Sequence, residues 1–351
     1  MLYVGLDLSG KRLDYCLLDA GGERVEVGAA PPERDGLEGL VTRLGCYGQP
    51  ISAAIESMTG ARFVHDQLEL AGFEVEIADA AKVKGLAPLA CKTDRIEAWV
   101  LAELARRELV PAIWLPDPAV REERERARFR LSLVRKRTSL KNRVHATLMT
   151  HGIARPVSDL FGVRGRELLA RLPLPEPWRS TVAASIYLLD ELEHAITTCE
   201  QQLKQLGAEH RYVPLLTTIP GIAWVLAYTI AAEIGDINRF ASPRKLTGYT
   251  GLCPRVYQSG DSDRRGPLSK RGPRYLRWAL IEATTHACRH PHYKERYQRT
   301  KQRLGRQRGP KVAQVDLARR LAEAIWQMLT HQQPFAPKGA TPTLASEKAL
   351  D

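Results

Sequence analysis

The feature that most constrains the fold is the opening segment, Leu2-Tyr3-Val4-Gly5-Leu6-Asp7-Leu8-Ser9, in which one carboxylate interrupts an apolar run. Such a run reads as a strand buried in a sheet, and an acid within it needs a partner to offset its desolvation. Candidate partners recur downstream. Glu56 closes a second apolar run, Ile51-Ser-Ala-Ala-Ile-Glu56, and Asp94 and Glu97 lie three apart in Lys92-Thr-Asp-Arg-Ile-Glu97-Ala. At helical spacing these two side chains share a face. The expectation is that Asp7, Glu56, Asp94 and Glu97 converge on divalent metal, magnesium by its preference for hard oxygen ligands, and that the rest of the chain brings nucleic acid to them. In two-metal phosphodiester chemistry carboxylates hold ions about 4 Å apart, one activating the attacking oxygen and one stabilising the leaving oxygen. Each acid taken singly is more often a surface or capping residue, and Asp94 could be a helix N-cap. Two acids that end separate apolar strands carry the argument.

Residues 2–8, 12–19 and 23–28 read as strands joined by turns at Ser9-Gly10 and Gly21-Gly22. Helix, strand, helix and strand are expected at 35–45, 51–56, 61–71 and 73–77. Three hairpin strands followed by alternating helix and strand make a mixed α/β sheet with helices on both faces, the layout of a ribonuclease H-like domain. In such a sheet Asp7 on the first strand and Glu56 on the fourth can be neighbours despite their distance in sequence.

Beyond residue 112 the pattern turns helical. Residues 117–150 carry heptad-like apolar spacing through Phe129, Leu133, Leu140, Val144 and Leu148, and ten basic residues fall between Arg121 and Arg143 against three acids. A solvated coiled-coil helix usually alternates its charges; this one does not after Glu125. Pro156, Pro173, Pro175 and Pro177 mark a linker, and 181–206 resumes a helical pattern able to pair with the first helix. A third region opens at Ile219-Pro220-Gly221-Ile222, either a plain helix connection or a helix-hairpin-helix turn that offers backbone amides to a phosphate. The expected division is 1–112 nuclease-like, 113–210 helical coiled-coil region with linker, 211–331 a mainly α C-terminal domain, and 332–351 a disordered tail.

Charge names the partner class. Fifty-two Lys and Arg against 40 Asp and Glu leave a net charge of +12, which points to a polyanion, nucleic acid before membrane. Arg135, Lys136, Arg137 and Lys141 are backbone-contact candidates on charge density alone. Arg255 to Arg277 holds seven basic residues against two acids, and Arg289 to Lys311 nine against one. Tyr257, Tyr275, Trp278, Tyr293 and Tyr297 are interleaved, so bases could stack where phosphates are neutralised. The six cysteines stand singly, with no Cys-x-x-Cys pair, and read as reduced and mostly core. No signal peptide and no apolar run long enough to span a bilayer is evident, so a soluble cytoplasmic protein is expected.

Ser259 lies in Gly251-Leu-Cys-Pro-Arg255-Val-Tyr-Gln-Ser259-Gly260, followed by Arg264, Arg265, Lys270 and Arg271. It reads either as a turn serine before glycine or as a nucleophile whose cationic neighbours stabilise a pentacoordinate phosphate. Spacing leaves both open. His286, Cys288, His290 and His292 cluster without a zinc spacing signature, which favours phosphate contact over a metal site.

With both halves in view the chain resembles the DEDD-type insertion-sequence transposases, whose bridge-RNA-guided members are recombinases. The motifs that carry the resemblance are Val-Gly-Leu-Asp7-Leu-Ser, Ala-Ile-Glu56-Ser, Lys-Thr-Asp94-Arg-Ile-Glu97-Ala, Ile-Pro-Gly-Ile, Gly-Tyr-Thr-Gly-Leu-Cys-Pro, Gln-Ser259-Gly, Leu-Ser-Lys-Arg-Gly and Leu-Arg277-Trp-Ala-Leu, in that order. The resemblance implies a RuvC-like nuclease domain, a coiled-coil insert, and a C-terminal transposase domain whose serine, Ser259 by motif position, becomes covalently linked to DNA. It further implies magnesium on the four acids, a site completed across a dimer or tetramer, and a structured guide RNA that pairs with target and donor DNA. One position departs: the family's fourth acid is normally aspartate, and here it is Glu97, with one more methylene. Two rival readings use the same residues. One is a metal nuclease such as a junction resolvase, with water as nucleophile; the other is a nucleic-acid binder with a decayed site.

Overall fold

Strands β1 (Leu2–Leu8), β2 (Leu13–Leu18) and β3 (Arg24–Ala30) form an antiparallel meander, followed by α1 (Arg34–Gly45), β4 (Ile51–Glu56), α2 (Ala61–Leu70), β5 (Glu74–Ala78), α3 (Ala80–Leu86) and α4 (Asp94–Arg106). The structure, a computed structural model, describes residues 1–87, 93–154, 156–259 and 262–337, and of Ser259, Ser262, Asp263 and Arg265 the backbone only. The chain divides into two compact units, residues 1–115 and 116–351.

In the first unit the sheet order is β3-β2-β1-β4-β5. β1 and β4, and β4 and β5, run parallel, while β1–β2 and β2–β3 are antiparallel. This is the mixed sheet that the sequence pattern predicts, with the expected strands displaced by two residues at most. Side-chain alternation sends Val4, Leu6, Leu17, Ala53 and Ile55 to one face, where Leu37, Leu40 and Leu44 of α1 and Val64 and Leu68 of α2 close a core. The opposite face receives α4, whose Ala98 and Ala102 pack with Cys16 and Leu18 and whose Val100, Leu101 and Leu104 pack with Ala54 and Ala78. Each leucine or isoleucine so buried contributes about 1.5–3 kcal/mol.

Gly5 sets how close α4 comes. A Cβ built there would lie 1.9 Å from the Ala98 carbonyl oxygen and 2.3 Å from the Ala102 amide nitrogen. Small residues on both sides let helix and strand backbones touch, and the start of α4 is thereby carried over the end of β1.

The second unit is mainly helical. α5 (Pro118–Thr150), α6 (Val163–Arg171) and α7 (Trp178–Ala208) come first, then α8 (Val213–Leu216), α9 (Trp224–Ile234), a 3-10 turn at Ile237–Arg239 and α10 (Pro243–Tyr249). The hairpin of β6 (Pro254–Ser259) and β7 (Ser262–Leu268) leads to α11 (Arg274–Ala287), α12 (Pro291–Arg303) and α13 (Gly305–His331). α5 and α7 run antiparallel, since Arg130 pairs with Glu200 and Arg137 with Glu193. Of the apolar positions expected along α5, Leu133, Val144 and Leu148 are buried, whereas Phe129 is exposed and Ala127 and Leu131 take its place inside. The linker expected around 155–180 contains α6, whose Leu169 packs with Val144, Leu148 and Val182.

The main core gathers α8, α9, α11 and α13, with Ala127 of α5 and Leu203 of α7 joining it. The Pro220-Gly221 turn has a packing reason. Gly221 has φ +87° and stands so close to α11 that a Cβ would lie 2.4 Å from the Ala283 carbonyl oxygen. Phe335, in the tail expected to be disordered, packs against the Tyr293, His290 and His292 rings, and its amide donates to Thr218 Oγ1; residues 338–351 lie outside the described residues. The cysteine expectation is corrected. Cys16 alone of the five described is buried, Cys46 is exposed and the other three are intermediate, because they sit on helix flanks and loops rather than in strands. No helix among the described residues is long and apolar enough to cross a membrane.

Candidate functional site

The parallel register pairs Gly5 with Ala54 and Leu6 with Ile55, so one step further along the ladder brings Asp7 level with Glu56. Both belong to the set of residues facing α4. Thr93, not Asp94, caps that helix, its hydroxyl accepting from the Ile96 amide at 3.4 Å. Asp94 and Glu97 therefore occupy the first turn, where the helix dipole favours negative charge. Gly5 and Ala98 press this turn toward the end of β1, and the four acids form one electrostatic cluster.

Asp7 records the clustering. Its carboxyl is pushed up to about 7 from 3.8, first by burial and then by the charges of Glu97, Asp94, Glu56 and Asp14. The partners of the half-buried acid are thus other acids. Among the described residues no group of three or more His, Cys, Asp or Glu is drawn tightly enough to hold a metal ion. Charge repulsion reaches further than coordination does, so the two observations agree on a loose cluster of hard oxygen donors. The donor chemistry fits a hard divalent cation, which would relieve the repulsion seen at Asp7.

Sequence reasoning missed a fifth acid. Asp14 lies opposite Asp7 in the antiparallel register and is buried, and Arg12 grips it through Nε–Oδ2 and Nη2–Oδ1 contacts of 2.8 Å each. The Arg12 guanidinium is held above its usual range, first by that hydrogen bond and then by the Asp14 charge, with Asp94 adding to the effect.

In the second unit the expected binding residues divide by what they touch. Arg137 and Lys141 both pair with Glu193, at 2.8 and 3.6 Å. Arg135 and Lys136 are exposed, Arg135 lying 5.5 Å above the Tyr275 ring. Arg277 Nη1 donates to the Thr250 and Lys270 carbonyls. Gly272 reinforces the same junction, since a Cβ there would meet the Tyr249 carbonyl oxygen at 2.0 Å. The Gly-Tyr-Thr-Gly and Ser-Lys-Arg-Gly motifs are thereby locked together, with Lys270 and Arg271 exposed outside.

Arg255 and Arg264 are exposed on the β6–β7 hairpin. Ser259 ends β6 opposite Ser262, at the tip of that hairpin; the side chains of Ser259 and Arg265 lie outside the described residues. Among the aromatics expected to stack, Tyr257 is exposed and Trp278 half-buried, whereas Tyr293 is a core residue. His290 caps α12 by accepting from the His292 amide.

Residues 4–152 match the family model of a DEDD-type transposase of the IS110 kind, and residues 213–298 match that of the Transposase IS116/IS110/IS902 family. The chain is 28% identical over 248 residues to the transposase for insertion sequence element IS1111A of Coxiella burnetii, covering 70% of this chain and 68% of that one. It is 27% identical over 301 residues to a probable family 20 transposase of Pseudomonas aeruginosa, with 82% and 86% covered. A pilin gene-inverting protein of Moraxella bovis is 30% identical over 170 residues, 44% of this chain and 51% of that one. A mixed sheet edged with acids, followed by a basic helical unit, is here the framework of a DNA-processing enzyme acting by phosphoryl transfer. The chain belongs to the DEDD-type insertion-sequence transposases.

Proposed function

We propose that the protein cuts and rejoins the DNA of an insertion sequence by transesterification. Asp7, Glu56, Asp94 and Glu97 would hold magnesium, and Ser259 would be the nucleophile. The observation that carries this reading is the crowding of three acids and Asp14 around Asp7. Bound there, divalent ions would supply Lewis-acid stabilisation of the reacting phosphate. The chain's own residues do the remainder. Ser259 Oγ forms a bond to phosphorus as the bond to a deoxyribose oxygen breaks, its proton passing to solvent and the freed sugar oxygen taking one up. Attack by a sugar hydroxyl on the seryl phosphodiester reverses these steps and reseals a strand. Exposed Arg264, Lys270 and Arg271, with Arg255 and Arg265 beside them in sequence, would neutralise flanking phosphates. The likeness to a gene-inverting protein supports rejoining, because an inverted segment must have every cut end sealed.

The same reading takes residues 1–112 as a ribonuclease H-like, RuvC-type domain. It takes 113–210 as a coiled-coil insert and 211–331 as the transposase domain with a helix-hairpin-helix-like start. A structured guide RNA would select the DNA, and a dimer or tetramer in the bacterial cytoplasm would bring serine and acids together. The experiment is adduct trapping with a suicide DNA substrate carrying an element end. Wild type should form a protein–DNA bond that needs magnesium, Asp7→Asn should form none, and Ser259→Ala should neither form the adduct nor recombine. One observation favours hydrolysis instead: the acids all come from the first unit and need no residue of the second. Magnesium-dependent cleavage with no adduct, unchanged in Ser259→Ala, would establish that alternative.

A further inference from the structure

The second unit carries a groove of about 740 Å³ between α5, α9 and α11, within the ~300–1,000 Å³ range of small-ligand clefts. Its floor is apolar, with Leu131, Val134, Leu226 and the half-buried Trp278, and its wall on α5 is cationic, with Arg130, Arg135 and Arg137. Glu282 is the one acid among the lining residues. Positions 131, 135, 138 and 142 recur every third or fourth residue, so a single face of the basic helix is turned to the groove.

The cations differ in what holds them. Arg130 is tied to Glu200 and Arg137 to Glu193. Arg135 is exposed and lies over Tyr275, a ring it shares with Arg128 at 4.9 Å and Arg274 at 4.8 Å. Arg274 also donates to the Tyr275 hydroxyl at 2.8 Å. Three guanidiniums around one ring concentrate positive charge beside Arg135, the one of the three that lines the groove, and Glu233 offsets that of Arg128.

We propose that this groove binds one single strand of nucleic acid, with a base laid on Trp278 and the adjoining phosphates on Arg135 and Arg274. The inference rests on the nucleic-acid reading above and deepens it by naming a single-strand site away from the acids. Aromatic floor and cationic rim are the combination that single strands use, stacking below and neutralisation along the backbone. A duplex keeps its bases paired and stacked inside, so it could use the rim but not the floor. An acidic peptide could likewise satisfy the arginines without an aromatic platform.

The test uses the full chain in chelator, so that no cleavage occurs and the outcome is independent of the transesterification chemistry. Anisotropy compares a labelled oligothymidylate with an abasic strand of equal length and charge. Wild type should prefer the base-bearing strand by about fivefold or more, the range of one stacked base. Trp278→Ala should lose that preference and keep its salt dependence. Arg135→Gln should keep the preference while its log–log salt slope falls by about 0.7, one phosphate on a single strand. Trp278→Phe retains a ring for both packing and stacking, and should keep the preference if the alanine variant melts early. Equal affinity of wild type for both probes overturns the proposal, as does duplex DNA competing as well as the single strand. Preference retained in a folded Trp278→Ala also overturns it.

Discussion

Gly5 and Ala98 touch through their backbones, and a single methyl group at Gly5 would lie 1.9 Å from the Ala98 carbonyl oxygen. Neither β1 nor α4 can yield locally, because both atoms that the methyl would meet are main chain. Gly5→Ala is expected to cost about 3 kcal/mol or more, the upper range of overpacking, and to displace Asp94 and Glu97 from Asp7. Gly10→Ala is the control, since nothing lies within 4 Å of a Cβ there. Chemical denaturation of the two variants checks the difference; equal midpoints would remove Gly5 as the element that sets the site.

The crowding at Asp7 makes the metal-free protein less stable as pH rises. Below the ordinary carboxylate value Asp7 is protonated in both states and contributes nothing. Between that value and about 7 only the unfolded chain ionises it, so stability falls, and above 7 the loss is complete. Its ceiling is about 4 kcal/mol at ~1.4 kcal/mol per pH unit, lowered by solvent screening because the group is half-buried. In chelator Asp7→Asn should therefore be more stable than wild type near pH 8 and nearly equal to it near pH 4. A difference that stays constant across that range would contradict the assignment.

Arg12 and Asp14 stand beside the site as a closed pair. Asp14 is buried opposite Asp7, and only the Arg12 fork offsets its charge across the contacts described. Arg12→Gln should destabilise the protein more than Arg12→Gln combined with Asp14→Asn, because the double variant leaves no uncompensated acid. Thermal melts of the single and double variants measure this. A single variant as stable as wild type would mean that solvent, rather than Arg12, satisfies Asp14.

How much of this was legible in the sequence depends on whether the cause is local. Period-two alternation and the Ser9-Gly10 turn place β1, and the apolar run ending in Glu56 places β4, so the Asp7–Glu56 neighbourhood follows from pattern. That α4 lies against β1 was not readable, because Gly5 explains itself only when Ala98 and Ala102 face it. Asp14 was readable and missed: Leu-Asp-Tyr-Cys-Leu-Leu carries the same lone acid in an apolar strand as β1, with an arginine two residues before it on the same face. The β6–β7 hairpin was hidden beneath the charge of 255–271, because Val256 and Tyr257 stand side by side and β6 carries no period-two alternation. In α5 charge density did not distinguish Arg135, which is exposed, from Arg137, which is spent on Glu193, since partners on another helix decide that.

Arg128 shows how far charge counting can mislead, and it gives the sharpest stability test in the second unit. It is one of the ten basic residues between Arg121 and Arg143 of α5, yet its Nε and Nη2 meet Glu233 Oε1 and Oε2 at 2.7 and 3.0 Å, and Glu233 is fully buried. Arg124 adds contacts of 2.8 and 2.7 Å to the Ala232 and Glu233 carbonyls, covering the end of α9. Replacing Arg128 strands a carboxylate in the core, whereas replacing both partners does not. Arg128→Met should cost about 3 kcal/mol, the lower range for a broken buried pair because Arg128 is itself partly exposed. Arg128→Met with Glu233→Gln should recover much of that loss, since the remaining amide carries no charge. Denaturation midpoints of the two variants decide the matter: if the double variant were no more stable than the single one, the loss would come from the vacated space beside Tyr275 rather than from the stranded charge.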